Sequence, residues 1–406
     1  MSLDKIEHYL TGYLKDLQRK GICKGDEKII TAIKPPTAGF GERYQLEGYG
    51  ERAFLRMNSN GYLGLARHPG VIEAEAKAAE AFGAGPGAVR FISGSFRPHI
   101  ELEERLAGFH GREAAMIMSA AYATVMGVLP QFITEDTLVI SDALNHNCII
   151  NAIRLSRPAE KAVYKHLDMT ELEEALLAGH KKQARRVCII TDGIFSMRGD
   201  YAPLEKIDAL GRQFQQDYEE GIVTIVDDSH GVGAFGKTGR GTEEYTGSSA
   251  DLLIATLGKA LGVNGGYVVS SKTVIDYLRE SAPFYIYSNP ITPAEAAAAI
   301  AALDILDSDE GLALLEHLRD LSARLRQGLA DLGYETIQGE HPIIPVLIRD
   351  TGKTAAMVKH LFENNILVTG LNYPVVPKGE EEIRLQVSAG HTGKDIEFLL
   401  DVMERF

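Results

Sequence analysis

The chain has little cysteine. Cys23, Cys148 and Cys188 are all there are in 406 residues. They are too few and too scattered for a disulfide framework or a cysteine-based metal site, so no metal is expected. A reducing, cytoplasmic setting is the default for such a chain. Basic charge is also short: 42 Lys and Arg stand against 56 Asp and Glu, a formal charge of −14. That balance argues against bulk nucleic-acid binding and against adhesion to anionic membranes, while leaving room for a local anion site. Long apolar runs are missing as well. No stretch approaches the roughly 18 uncharged apolar residues of a spanning helix, so no integral membrane segment is expected. Residues 1–20 are amphipathic and charged, without the apolar core of a signal peptide. Glycine, by contrast, is plentiful, with 41 residues. The glycines cluster after apolar runs, which suggests turns crowded around a ligand.

Read in order, residues 1–30 carry helical apolar spacing at Ile6, Leu10, Tyr13, Leu14 and Leu17, with Gly21 and Gly25 as stops. Phe54–Asn58 reads as a strand running into Asn60-Gly61-Tyr62-Leu63-Gly64. Helices follow at 71–82 and 98–110, separated by the glycine-rich segment 83–95. Then short apolar runs recur, each ending in polar residues and followed by a helical pattern. Ala114–Met118 leads to Ser119. Leu138–Ile140 leads to Ser141, Asp142, Asn145 and His146. Val187–Ile190 leads to Thr191, Asp192 and Ser196. Ile222–Val226 leads to Asp227, Asp228 and His230, and Leu252–Ala255 to Thr256 and Lys259. Such alternation predicts a mostly parallel sheet with helices on both faces. Sheets of this kind bind ligands beyond the carboxyl ends of their strands. The five polar clusters are therefore expected to converge on one crevice. After Pro283 the texture changes to helices over 290–330, 353–364 and 393–405 around apolar strands. The expected units are an N-terminal helix and arm (1–55), a large α/β domain (56–287) and a smaller α+β C-terminal domain (288–406).

Lys259 lies in LLIATLGKALGVNGG (252–266), at a strand end flanked by glycines. An amine so placed can form a Schiff base with an aldehyde cofactor, chiefly pyridoxal 5'-phosphate, PLP. That cofactor also needs a carboxylate for its ring nitrogen, a stacking partner and a phosphate cradle. Asp227 or Asp228 can supply the carboxylate, keeping the ring nitrogen protonated. His230 and Ser196 can bind the phenolic oxygen, and His146 can stack or act on substrate protons. Ser119-Ala120-Ala121-Tyr122 opens a helix whose N–H groups suit a phosphate, and Thr256 adds a hydroxyl. Taken singly, Ser119 reads as a helix cap and each histidine as structural. Together they share one sheet edge.

The segments VDDSHGVGAFGKTGRG (226–241), TLGKALG (256–262), DGIFSMRGD (192–200), SDALNHNCII (141–150) and NGYLGLARHP (60–69) resemble the α-oxoamine synthases. These are PLP enzymes of fold type I, the aspartate-aminotransferase fold, that join an amino acid to an acyl-CoA. AVRFISG (88–94), YPVVPKG (373–379) and IRLQVSAGHT (383–392) point within the family to glycine C-acetyltransferases. The resemblance implies that Lys259 is the Schiff-base lysine and Asp227 the pyridinium partner. It further implies His230 and Ser196 on the phenolic oxygen, and His146 on the ring. Ala121 and Tyr122 bind phosphate through their N–H groups, with Ser119 and Thr256 beside them. Arg384 holds the substrate carboxylate with Asn60 nearby, because its fork matches a carboxylate. Val89 tunes room for the amino-acid side chain. A homodimer is implied, with Ser288 and Asn289 reaching the neighbouring phosphate. Gly61, Val125, Pro290 and residues 95–98 depart from the glycine C-acetyltransferase pattern and bear on substrate identity.

The expected reaction is condensation of glycine, or another small amino acid, with acetyl-CoA, releasing CoA. The alternatives are a synthase taking a longer acyl thioester or alanine or serine, of the 8-amino-7-oxononanoate synthase or serine palmitoyltransferase type, a PLP decarboxylase or aldolase, and a non-catalytic binding protein.

Overall fold

The structure is a computed structural model that describes residues 3–20, 27–181, 184–373 and 376–406. Cys23, Lys24, the expected helix stops Gly21 and Gly25, and Pro374 and Val375 lie outside the described residues. A seven-stranded sheet occupies the middle of the molecule. Its strands are β1 (Ala114–Met118), β2 (Thr137–Asp142), β3 (Glu160–Tyr164), β4 (Arg186–Asp192), β5 (Ile222–Asp227), β6 (Leu252–Thr256) and β7 (Gly266–Ser270). They lie in the order β1-β7-β6-β5-β4-β2-β3. Only β7 runs against its neighbours. The link from β6 to β7 is too short for the crossover that a parallel pair needs, so β7 must turn back.

The strands read as unbroken apolar runs because both faces are covered. Along β4, Val187 and Ile189 join one core and Cys188 and Ile190 the other. Strand β3 is absent from the sequence reading. It is an edge strand, pairs only with β2, and leaves Val163 exposed, so it has no continuous apolar run to betray it. The N-terminal helix ends at Arg19 and buries no residue. A strand not expected from the sequence, Ile30–Lys34, begins at the last residue of the expected helical region and pairs with Arg43–Leu46.

A second sheet places Glu382–Gln386 between Ile343–Leu347 and Thr369–Leu371. Strand alternation sends Ile383 and Leu385 into the core and sets Glu382, Arg384 and Gln386 on the other face. The expected strand at 54–58 shrinks to Leu55–Arg56, which pairs in parallel with Ile366–Leu367. The Gln386 N–H donates to the Met57 carbonyl, and the Ala389 N–H to that of Tyr62. The loop carrying Asn60 is thus pinned to the C-terminal sheet. The helix Pro293–Leu306 packs on helices Pro69–Phe82 and Arg97–Phe109 through small residues such as Ala299 and Ala302. Among the described residues, no helix is long and apolar enough to cross a membrane.

A buried ion cluster ties the helix Arg97–Phe109 to the sheet. Glu103 takes both Arg90 guanidinium nitrogens at 3.2 Å, Arg279 at 2.8 Å and the Ile117 N–H at 3.1 Å. Glu103→Ala strands two guanidinium groups, and removing one member of a buried pair costs about 3–5 kcal/mol. The expected outcome is a corresponding fall in the urea midpoint of unfolding. An unchanged midpoint would show that the cluster does not hold this packing.

Candidate active site

The carboxyl ends of the parallel strands open on a cavity of about 270 Å³. Asp192 ends β4, Asp227 ends β5 and Thr256 ends β6, and register sets Asp192 directly beside Asp227. Ala121, Tyr122, His146, Ser196, Asp227, His230, Thr256 and Lys259 all line this cavity. Four of the five sequence-predicted clusters, all but that of Ser119, contribute side chains to this cavity.

Lys259 follows β6 in a loop stapled by Leu257 N–H to the Gly265 carbonyl (3.0 Å) and Gly262 N–H to the Lys259 carbonyl (3.1 Å). Gly262 has φ +72°, and a Cβ there would sit 2.3 Å from the Ala66 nitrogen. Only glycine allows that approach. Burial lowers the Lys259 amine to about 8, against the pull of Asp227 and Asp192 toward the charged form. Burial also lowers His146 and holds His230 well below the ordinary imidazole range.

His230 is oriented by the Tyr62 hydroxyl, 2.8 Å from Nδ1. The His146 N–H donates to Asp192 Oδ2 at 2.8 Å, and its Nδ1 accepts the Cys148 N–H at 3.2 Å. That acceptor role assigns the ring proton of the neutral imidazole to Nε2. The Cys148 thiol lies 3.6 Å from Asp227 Oδ2. Burial drives its pKa upward, so it remains S–H, with His146 Nδ1 at 2.9 Å and the Asp227 carboxylate as its neighbouring acceptors. The Ser229 N–H supplies Asp227 Oδ1 at 3.1 Å. Asp228, the other carboxylate left open by the sequence, turns away. It accepts the Thr242 N–H at 2.6 Å and the Thr242 hydroxyl at 2.7 Å.

The helix Ala121–Phe132 starts at the cavity with Ala120 as its cap and no side-chain oxygen on its first N–H groups. Those N–H groups remain available to an anion. Gly266 backs them: a Cβ there would meet the Ala121 nitrogen at 2.3 Å. Ser119 neither caps this helix nor lines the cavity, because the helix starts two residues later and Ala120 takes both positions. Thr256 lines the wall, with its hydroxyl donating to the Gly265 carbonyl at 3.1 Å.

Arg384 and Asn60 do not line this cavity, though Arg384 is near enough for its charge to act on Lys259 and His230. Arg384 Nη2 donates to Asn60 Oδ1 at 3.3 Å, and the Gln386 amide and Tyr62 hydroxyl also reach that oxygen. Among the described residues, the buried Arg384 Nε has no partner. Val89, Ser288 and Asn289 do not line this chain's own cavity. Val89 is carried away because the next residue, Arg90, is buried on Glu103. Ser288 and Asn289 follow the exposed Tyr287.

The sequence reading gave no role to Tyr62, Cys148, Asp192 or Gln386. Asp192 had a signal, as a polar residue at a strand end. The other three act through contacts distant in sequence or through a side chain usually inert. Among the described residues, no group of three or more His, Cys, Asp or Glu is placed to hold a metal.

The residues fit PLP: an amine of lowered pKa, an acid with two donors, and an uncapped helix end surround one cavity. Lys259 attacks an aldehyde only as free amine, so PLP uptake by the apoprotein should accelerate as pH rises through about 8. Stopped-flow absorbance checks this. A midpoint at the value of a free lysine would show that burial does not tune the amine.

The aminotransferase class I and II family profile matches residues 52–403. An 8-amino-7-oxononanoate synthase of Thermosipho melanesiensis is 41% identical over 354 residues, 86% of this chain and 88% of that protein. One from Geobacter sulfurreducens is 38% identical over 398 residues, 98% and 97% of the two chains. A serine palmitoyltransferase from S. paucimobilis, solved with PLP and myriocin bound, superposes with a TM-score of 0.87. It is 25% identical and covers 99% of this chain and 97% of its own. These names favour the alternative drawn from the sequence, the 8-amino-7-oxononanoate synthase or serine palmitoyltransferase type, over the glycine C-acetyltransferase suggested by short segments at 88–94, 373–379 and 383–392. The chain belongs to the aminotransferase class I and II family and, within it, is a PLP-dependent enzyme of the α-oxoamine synthase type.

Proposed function

We propose that the enzyme joins a small amino acid to an acyl thioester longer than acetyl and releases the thiol. The observation that carries this reading is the meeting of a low-pKa lysine with an arginine that retains an unpaired, buried nitrogen. Base and carboxylate clamp then serve one bound amino acid. The relatives' shared name describes a nine-carbon oxo acid with its amino group beside the last carbon and its ketone next to that. Cut between those two groups, it yields alanine less its carboxylate and a longer acyl chain. Alanine is therefore the favoured amino acid, ahead of serine and glycine.

Lys259 would hold the cofactor, and its free amine is the general base for the α-proton. PLP, when bound, supplies the electron sink that makes this proton acidic. Asp227 would keep the ring nitrogen protonated, with Cys148 and the Ser229 N–H holding the carboxylate in place. His230 and Ser196 would bind the phenolic oxygen, and His146 would lie against the ring. Ala121 and Tyr122 would bind phosphate through their N–H groups, beside Thr256. Arg384, steadied by Asn60, would bind the substrate carboxylate by two parallel bonds.

A homodimer would bring Val89, Ser288 and Asn289 to the partner's cavity. Exposed apolar residues beside them support this: Phe91 at 67%, Ile92 at 61% and Tyr287 at 77%. A cytoplasmic site of action suits Cys148 and Cys188, which are free and buried.

Thiol release from acyl-CoAs of increasing length, each against alanine, serine and glycine, tests the reading. Release is expected with alanine and a chain longer than acetyl. Release confined to glycine and acetyl-CoA would overturn the substrate reading, and no release with any pair would overturn the reaction. Lys259→Ala should abolish turnover, since among the described residues no other lysine lines the cavity; an active variant would remove Lys259 from its role.

A further inference from the structure

A second cavity, of about 610 Å³, adjoins the first and shares His146, Asp192 and Ser196 with it. Its walls are apolar at Leu144, Ile150, Phe195 and Pro377. At the wall built by the strand Glu382–Gln386 stands a carboxyl that no role above absorbs. Glu382 is 3% exposed, and among the described residues its Oε1 has no hydrogen-bond partner. Native structures rarely leave a buried oxygen so, and a cavity-lining one waits for a ligand.

The neighbours narrow the ligand's chemistry. Arg198 is already committed, its Nε 2.9 Å from Asp200 Oδ2 and its Nη1 3.8 Å from Glu380 Oε2. Arg384 stands two residues along the same strand face. Burial is the main force raising Glu382 to about 8, with Glu380 and Asp200 adding to it and Arg198 and Arg384 opposing. At neutral pH this carboxyl keeps its proton and both donates and accepts. An amide or a hydroxyl answers both capacities. A plain alkyl chain would leave the carboxyl unmatched.

We propose that this second cavity is the berth of the acyl-thioester donor, and that Glu382 determines donor affinity by hydrogen-bonding a neutral amide or hydroxyl of that donor. The proposal rests on the acyltransfer reading above. Such a group has two sources: the amide-bearing arm of CoA, or a hydroxyl on the acyl chain itself.

The test uses PLP-loaded wild type, Glu382→Gln and Glu382→Leu. Calorimetry with CoA alone is combined with KM and kcat for acyl-CoAs and for N-acetylcysteamine thioesters with and without a chain hydroxyl. If the arm is the partner, CoA binding weakens about tenfold in Glu382→Leu and is largely restored in Glu382→Gln, the scale of one hydrogen bond in a buried site. If the chain is the partner, CoA binding is unchanged, and the hydroxylated thioester loses its KM advantage in Glu382→Leu. In either case kcat changes little. Wild-type donor affinity falls as pH rises through about 8, because the carboxyl loses the proton it donates, while Glu382→Gln stays flat. Should Glu382→Leu not fold, the wild-type and Glu382→Gln pH profiles decide alone. Equal affinities and KM values for every donor, or a change only in the amino-acid KM, would overturn the assignment. Thiol release by wild type is read separately, so loss of this assignment leaves the acyltransfer reading standing.

Discussion

An amine buried beside carboxylates is the constraint on which the rest of the site depends. Burial alone would strip Lys259 of its charge, and carboxylates alone would keep it charged. With Asp227 and Asp192 close by, the balance falls near 8, where the amine can pass between its two forms. That balance needs three strands in register, with Asp192 beside Asp227 and Lys259 just beyond β6. It also needs a loop tight enough to hold the lysine, which Gly262 and the turn bonds of residues 257–265 supply.

The same economy governs the acids. Of the adjacent pair after β5, Asp227 faces the cavity and Asp228 is spent on structure. Gly193, Gly231 and Gly241 crowd the Asp228 carboxylate so closely that a Cβ at any of them would approach it to 2.2, 2.1 and 2.0 Å. Burial raises Asp228 to about 7, opposed by its bonds to Thr242. One acid anchors the turn so that the other can serve the site.

The loop carrying Asn60 is tied by backbone to the C-terminal part of the chain. Leu55 and Met57 donate their N–H groups to the carbonyls of Asn365 and Leu367. This seam sets Asn60 against Arg384 and Gln386, and places the Tyr62 hydroxyl on His230. The carboxylate clamp and the cofactor wall therefore share one loop. A shift of that loop would disturb both at once.

Much of this was legible in the linear chain. Strand–helix alternation predicts the parallel sheet, because apolar runs buried on both faces leave a plain signature. The residues just after such runs, Asp227, His230, Thr256, Lys259 and His146, meet because parallel strands all end on one side. Local order was enough for them. The edge strand Glu160–Tyr164 escaped notice because one buried face gives no run. Ser119 stops short of the cavity, because the helix starts two residues later, and a helix start is legible from sequence only to within a residue or two. Asn60 and Arg384 are 324 residues apart, and tertiary pairing brings them together: Leu55–Arg56 with Ile366–Leu367, and Gln386 and Ala389 with Met57 and Tyr62. The choice between Asp227 and Asp228, the thiol of Cys148 against a carboxylate, and the unpaired oxygen of Glu382 were likewise decided by tertiary structure. Sequence determines which residues stand at strand ends; which way each side chain points, and whether it finds a partner, depends on neighbours that only packing supplies.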